Sequence, residues 1–322
     1  MKKRYVIAVD IGGTVLKSAL VSITGKIAYL RKAPTPRVKD KTKLIESILS
    51  SINDMILIKK LKKRDILGIG IGAPGPVDSL KGVVHYFVNI PGWREVPLKR
   101  IIEGKTGIPV FIDNDVNMMA LGELKFGAGR NAKNMVCITL GTGVGGGIVI
   151  DGKLYRGSGS SAGEVGHITV AENGPLCNCG NKGCLERLVG NRYIVSEVRN
   201  KIRDGAKTSI SRMVNGRLSD ITPEMIDKAA GKGDRFAIGI WKNTGHYIGT
   251  ALADIANILD PEAIVIGGGM ANAGKVLFDS IRETVRARAM KGPAERVRIV
   301  RAKLGYDAGL IGAVPLVLSK GR

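Results

Sequence analysis

The sequence predicts an α/β protein of two domains, and three observations carry that prediction. Two β-branched runs, Tyr5 to Val9 and Met135 to Leu140, each end in a glycine-rich turn and resume as apolar sequence. Apolar strand patterns then alternate with amphipathic helical ones along most of the chain. Finally, 322 residues with 44% hydrophobic content are enough to bury two cores.

The first turn is Asp10-Ile11-Gly12-Gly13-Thr14, the second Gly141-Thr142-Gly143-Val144-Gly145-Gly146-Gly147. Each is followed by a strand and a Gly-Lys pair, Gly25-Lys26 and Gly152-Lys153. Either turn alone reads as a tight hairpin. Together they suggest two cradles whose main-chain N–H groups and threonine hydroxyls take phosphate oxygens.

Lys43 to Ile58 puts Leu44, Ile45, Ile48, Leu49, Ile52, Met55 and Ile56 on one helical stripe. Ile66 to Gly72 is a buried strand, stopped by Ala73-Pro74-Gly75-Pro76. A short helix spans Pro97 to Gly107, a strand Val110 to Ile112 and a helix Val116 to Leu124. From Tyr193 to Ala237 the pattern is mostly helical, with breaks at Gly205, Gly216 and Pro223. A longer helix covers Trp241 to Leu259, a buried strand Ala263 to Ile266, and an apolar helix Ala308 to Leu318 that crosses back to the first domain. The domain boundary is expected near Asn114: residues 1–113 plus the C-terminal helix 308–322 in a small domain, residues 114–307 in a large one.

The net charge of +22 suits nucleic acid or anionic small molecules. The cations are mixed with acids along the chain, however. The tightest cluster, Lys59 to Arg64, reads as a solvated helix end, and the few aromatics argue against base stacking. No nucleic-acid or membrane partner is therefore expected, and a cytoplasmic location is the default.

Three motif matches mislead. Gly70 to Gly75 and Gly141 to Gly146 both spell G-x-G-x-x-G, but neither precedes a helix. Gly269 to Lys275 spells G-x4-G-K, but Val276 replaces the magnesium-binding hydroxyl of a P-loop.

Asp113-Asn114-Asp115 joins a strand to a helix N-terminus, where α/β proteins place ligands. Asp115 is a candidate general base for an attacking hydroxyl, or simply a helix cap. Cys177-x-Cys179-x4-Cys184 lies on a Gly- and Asn-rich loop, ten residues after His167. Three thiolates and one imidazole form a closed tetrahedral zinc site of structural type; a disulfide would strand an odd cysteine. Glu164 and Glu186 flank that loop as candidate acceptors of sugar hydroxyl groups, or simply as solvent-facing charges.

These residues together resemble the ROK family of sugar kinases, built on the actin-like, hexokinase-like ATPase fold with two α/β domains flanking a cleft. Asp10-x-Gly12-Gly13-Thr14 resembles the family's first phosphate motif, Gly141-Thr142-Gly143-x-Gly145 the second, and Ile264 to Gly269 the adenosine motif. Glu164-x-x-His167 and the cysteine loop through Glu186 resemble its sugar and zinc signature. Gly72 to Asp78 and Asn89-Ile90-Pro91-Gly92-Trp93 look most like bacterial-type glucokinases.

The resemblance implies transfer from ATP to the 6-hydroxyl of glucose, with Asp115 as base. Gly75, Asn89, Asn114, Asp115, Glu164, His167 and Glu186 would hold the sugar. Asp10 would organise Mg²⁺, and Gly12, Gly13, Thr14, Lys17, Gly141, Thr142, Gly143, Gly145, Gly267, Gly268 and Gly269 would hold the nucleotide. A homodimer or tetramer is expected. N-acetylglucosamine, N-acetylmannosamine, fructose and mannose remain alternative substrates. A sugar-responsive transcription factor of the same family is disfavoured, because nine residues before Asp10 leave no room for a DNA-binding domain.

Overall fold

The computed structural model describes residues 4–36, 41–87 and 92–320. The chain divides into two compact units: residues 1–137, 147–163 and 302–322 form the first, and residues 138–146 and 164–301 the second.

The first sheet contains β1 (Tyr5–Ile11), β2 (Val15–Ser22), β3 (Ile27–Pro34), β4 (Ile66–Ala73) and β8 (Val110–Asn114), in the order β3-β2-β1-β4-β8. β1 pairs antiparallel with β2 and parallel with β4, and β4 pairs parallel with β8. A small sheet of β5 (Val77–Asp78), β6 (Val83–Tyr86) and β7 (Arg94–Val96) lies in the same unit. The second large sheet runs β11-β10-β9-β12-β13, from β9 (Met135–Leu140), β10 (Val144–Ile150), β11 (Lys153–Tyr155), β12 (Ala263–Gly267) and β13 (Arg298–Arg301). Ranked along the chain, both large sheets follow the order 3-2-1-4-5. The paired glycine turns therefore belong to a repeated architecture, since each joins the first two strands of its sheet.

The helices are α1 (Lys41–Ile58), α2 (Leu98–Thr106), α3 (Asp115–Phe126), α4 (Leu185–Val189), α5 (Asn191–Arg203), α6 (Ile210–Met213), α7 (Pro223–Gly231), α8 (Arg235–Leu259), α9 (Lys275–Arg288), α10 (Lys291–Arg296) and α11 (Ala308–Leu318). The apolar stripe of α1 is buried as its period requires: Leu44, Ile48, Ile52 and Met55 have no exposed surface.

α3, which carries Asp115, lies in the first unit rather than beyond a boundary at 113/114. α11 packs along it, and glycines allow the close approach. A Cβ on Gly312 would sit 1.8 Å from the Met118 carbonyl oxygen, and one on Gly122 2.5 Å from that of Ala308. The C-terminal helix thereby fixes the element that presents Asp115.

Candidate active site

In the first unit, β1 carries Asp10 to its C-terminal end and the chain reverses through Gly12-Gly13-Thr14 into β2. The Gly12 N–H donates to the Val15 carbonyl at 3.1 Å and Thr35 Oγ1 to the Gly12 carbonyl at 2.6 Å, while Gly13 and Thr14 stay exposed. Lys17 Nζ lies 3.3 Å from Asp10 Oδ2 and donates to the Tyr306 carbonyl at 3.0 Å.

Two strands along, β8 delivers Asp113, Asn114 and Asp115. The helix cap is Asn114, not Asp115: Asn114 Oδ1 accepts from the N–H groups of Val116 and Asn117. Its amide nitrogen donates to the Gly75 carbonyl at 3.2 Å. Asp115 is the first helical residue and accepts from the Val116 N–H at 2.9 Å. Desolvation among crowding protein atoms, reinforced by the negative charge of Asp10, pushes the Asp115 carboxyl up to about 7 despite that hydrogen bond. Burial also raises Asp10, with Lys17 opposing. Two acids held above the ordinary carboxylate range, Asp115 by burial and the charge of Asp10 and Asp10 chiefly by its own burial, mark a site that suits a cation and a proton acceptor.

Behind them is a buried brace that motif reasoning missed. Arg156 Nε donates to Asp113 Oδ2 at 2.8 Å, Asn117 Nδ2 to Asp113 Oδ1 at 2.8 Å, and Asp113 Oδ1 also accepts the Asn114 N–H. Glu123, fully buried, accepts from the N–H groups of Ala128, Lys303 and Leu304 and ties α3 to the approach to α11. Glu123 is the lone acid in the stretch of α3 buried continuously from Val116, a signal the sequence did hold in the apolar run Met118 to Leu121 before it. The Arg156–Asp113 pair spans 43 positions and left none.

In the second unit, the Gly141–Val144 turn is stitched to the segment after the cysteines. Glu186 Oε2 accepts the Val144 N–H at 3.0 Å, and the Asn191 N–H donates to the Gly141 carbonyl at 2.8 Å. Gly268 packs so closely on β9 that a Cβ there would sit 2.3 Å from the Leu140 carbonyl oxygen. The motif Gly267-Gly268-Gly269 and the turn Gly141-Thr142-Gly143 are thus neighbours, and Gly145 lies within β10.

Ligand atoms of His167, Cys177, Cys179 and Cys184 all lie within 4.8 Å of one another. Cys179 Sγ is 3.6 Å from Cys184 Sγ, and Cys177 Sγ is 3.9 Å from His167 Nδ1. A tetrahedral zinc with Zn–S of about 2.3 Å requires S···S edges of roughly 3.8 Å, so the cluster is compatible with that ion. All four cysteines of the chain are free thiols. With Nδ1 towards the thiols, His167 Nε2 faces outward, 4.0 Å from the exposed Glu164. Asn89 lies outside the described residues.

Two five-stranded sheets of the same strand order, each with a glycine turn between its first two strands and the first turn opened by Asp10, define an actin-like, hexokinase-like ATPase fold. A family model described as the ROK family matches residues 6–320. The chain is 39% identical over 318 residues to a glucokinase of Halalkalibacterium halodurans, covering 98% of this chain and 96% of that protein. A solved ROK family glucokinase from Streptomyces griseus, in complex with glucose and AMPPNP, is 34% identical at a TM-score of 0.83, covering 98% and 99% of the two chains. A ROK family transcriptional regulator, homologous to the Escherichia coli MLC protein, is 28% identical at a TM-score of 0.90, covering 98% of this chain and 78% of that one. The chain belongs to the ROK family.

Proposed function

We propose that this protein is an ATP-dependent glucokinase that transfers the γ-phosphoryl group of ATP to the 6-hydroxyl of glucose. The observation that carries the proposal is Asp115, a carboxyl titrating at about 7 at the start of α3. Its ionised form is available near neutral pH and basic enough to take a hydroxyl proton. In the proposed step, that carboxylate accepts the proton of the 6-hydroxyl as the oxygen attacks the γ-phosphorus, and ADP departs.

Asn114, Gly75, Glu164, His167, Glu186 and Asn89 are proposed to orient the sugar hydroxyls. Gly12, Gly13, Thr14, Lys17, Gly141, Thr142, Gly143 and Gly145 are proposed to hold the phosphates, and Gly267 to Gly269 the adenosine. Mg²⁺ arriving with ATP neutralises charge on the phosphates, and Asp10 is the group proposed to organise it. His167, Cys177, Cys179 and Cys184 are proposed to hold a structural zinc, which when bound would fix His167 through Nδ1 and leave its Nε2–H as a donor to the sugar. A cytoplasmic homodimer is the assembly we infer.

A coupled assay with glucose, mannose, fructose and the N-acetyl hexosamines against ATP, ADP and polyphosphate tests the reaction and its substrate. Absence of phosphorylation for every pair would refute the kinase reading. A sugar-responsive regulator is the second reading, favoured by the TM-score of 0.90. DNA binding that responds to sugar and weakens steeply with salt would mark it. No helix among the described residues is long and apolar enough to cross a membrane.

A further inference from the structure

Glu186 holds a position that a simple sugar-binding role does not account for. Its carboxylate oxygen occupies the second glycine turn, accepting the Val144 N–H at 3.0 Å. The space exists because residue 143 is glycine: a Cβ there would lie 2.5 Å from the same oxygen. The backbone around it is anchored twice more, by Gly190 N–H to the Glu186 carbonyl at 2.8 Å and by Asn191 N–H to the Gly141 carbonyl at 2.8 Å. An anion therefore already sits on the turn proposed to receive phosphate oxygens, and it is the protein's own.

We infer that Glu186 is an internal plug of the second phosphate turn, and that sugar binding withdraws it. The inference rests on the proposed hexose kinase reading, in which Glu186 also accepts a sugar hydroxyl. Without sugar, the carboxylate masks one amide and places a negative charge against incoming phosphate, so nucleotide binds weakly. A sugar hydroxyl that donates to Glu186 competes for that oxygen and draws the side chain from the turn, leaving the Val144 N–H for phosphate. Sugar and nucleotide binding are then positively coupled through one side chain, and the coupling is reciprocal. ATP is thereby held poorly until an acceptor is present, which limits its loss to water.

The experiment measures the affinity of AMPPNP with Mg²⁺ by calorimetry, with and without saturating glucose, for the parent, Glu186→Gln and Glu186→Ala. In the parent, glucose is expected to tighten nucleotide binding about tenfold, within the usual range of coupling between sites. Glu186→Ala is expected to bind nucleotide about tenfold more tightly than the parent without sugar and to lose the increment that glucose adds; Glu186→Gln, whose amide oxygen still accepts the Val144 N–H, loses only the charge and gains less. A merely structural Glu186 predicts the opposite direction, since loosening the turn weakens nucleotide binding. Parental or weaker sugar-free affinity in the Ala variant, with its melting temperature retained, overturns the inference. So does a parent indifferent to glucose while it phosphorylates glucose in the coupled assay. A parent that phosphorylates no sugar instead removes the kinase reading, and the sugar-free comparison of variants still decides whether the plug exists.

Discussion

Replacing Asp115 with Asn removes the proposed base and, with it, a charge that burial makes costly. Two effects of opposite sign follow. Loss of general-base catalysis is expected to lower kcat by about 10²- to 10⁴-fold with sugar affinity largely kept. Stability should move the other way. The carboxyl rises from 3.8 to about 7 on folding. Below pH 4 both folded and unfolded states hold the proton and the group is neutral in its effect. Between those two values the unfolded chain ionises while the folded one does not, so stability falls as pH rises, and the loss is complete above pH 7. Three pH units of such linkage amount to at most about 4 kcal/mol, a ceiling because the side chain keeps some accessible surface. Ligand-free Asp115→Asn protein should thus match the parent near pH 4 and exceed it increasingly up to pH 8, measured by urea unfolding across that range. The parent's kcat/KM should fall as pH drops through the region near 7. A variant that phosphorylates glucose at close to parental rate, or whose stability difference is flat with pH, would refute the assignment.

Arg156→Met leaves Asp113, 2% exposed at its side chain, without its ionic partner, and should cost about 3–5 kcal/mol in denaturant unfolding. The double variant with Asp113→Asn should recover much of that loss. Gly312→Ala drives a methyl group into the Met118 carbonyl and should destabilise by about 1–3 kcal/mol, seen as a lowered melting temperature. Cys179→Ser should reduce bound zinc from about one per chain towards none by elemental analysis. It should also speed hydrogen exchange over residues 167–187, whereas undiminished metal content would remove Cys179 from the ligand set.

The apolar strands and the glycine turns were legible because hydrophobic runs and glycine punctuation are local signals. α3, expected over 116–124, runs Asp115–Phe126, and α11 matches its expected span. α8 begins six residues before the expected Trp241, because Asp234 caps it by accepting from the Ala237 N–H. That cap follows a glycine and was readable. The β5-β6-β7 sheet has strands of two to four residues, too short for a periodic signal. At the site, the identities of Asp10, Asp115 and the cysteines could be read from motifs. Which residue caps α3 and which cation braces Asp113 are set by tertiary packing, as is the hold of Glu186 on the Val144 amide. No spacing rule encodes those partners.

The packing of α11 on α3 has a consequence for biosynthesis. About 180 residues separate the end of α3 from the start of α11, so at typical elongation speeds the ribosome takes roughly 10–40 s to supply the second helix after the first. Throughout that interval the face of α3 around Gly122 lacks its native cover, although the strands that precede it have already emerged. The first unit cannot finish folding until the last segment of the chain is made. A nascent polypeptide stalled before residue 308 should therefore be an aggregation-prone chaperone client rather than a smaller stable domain.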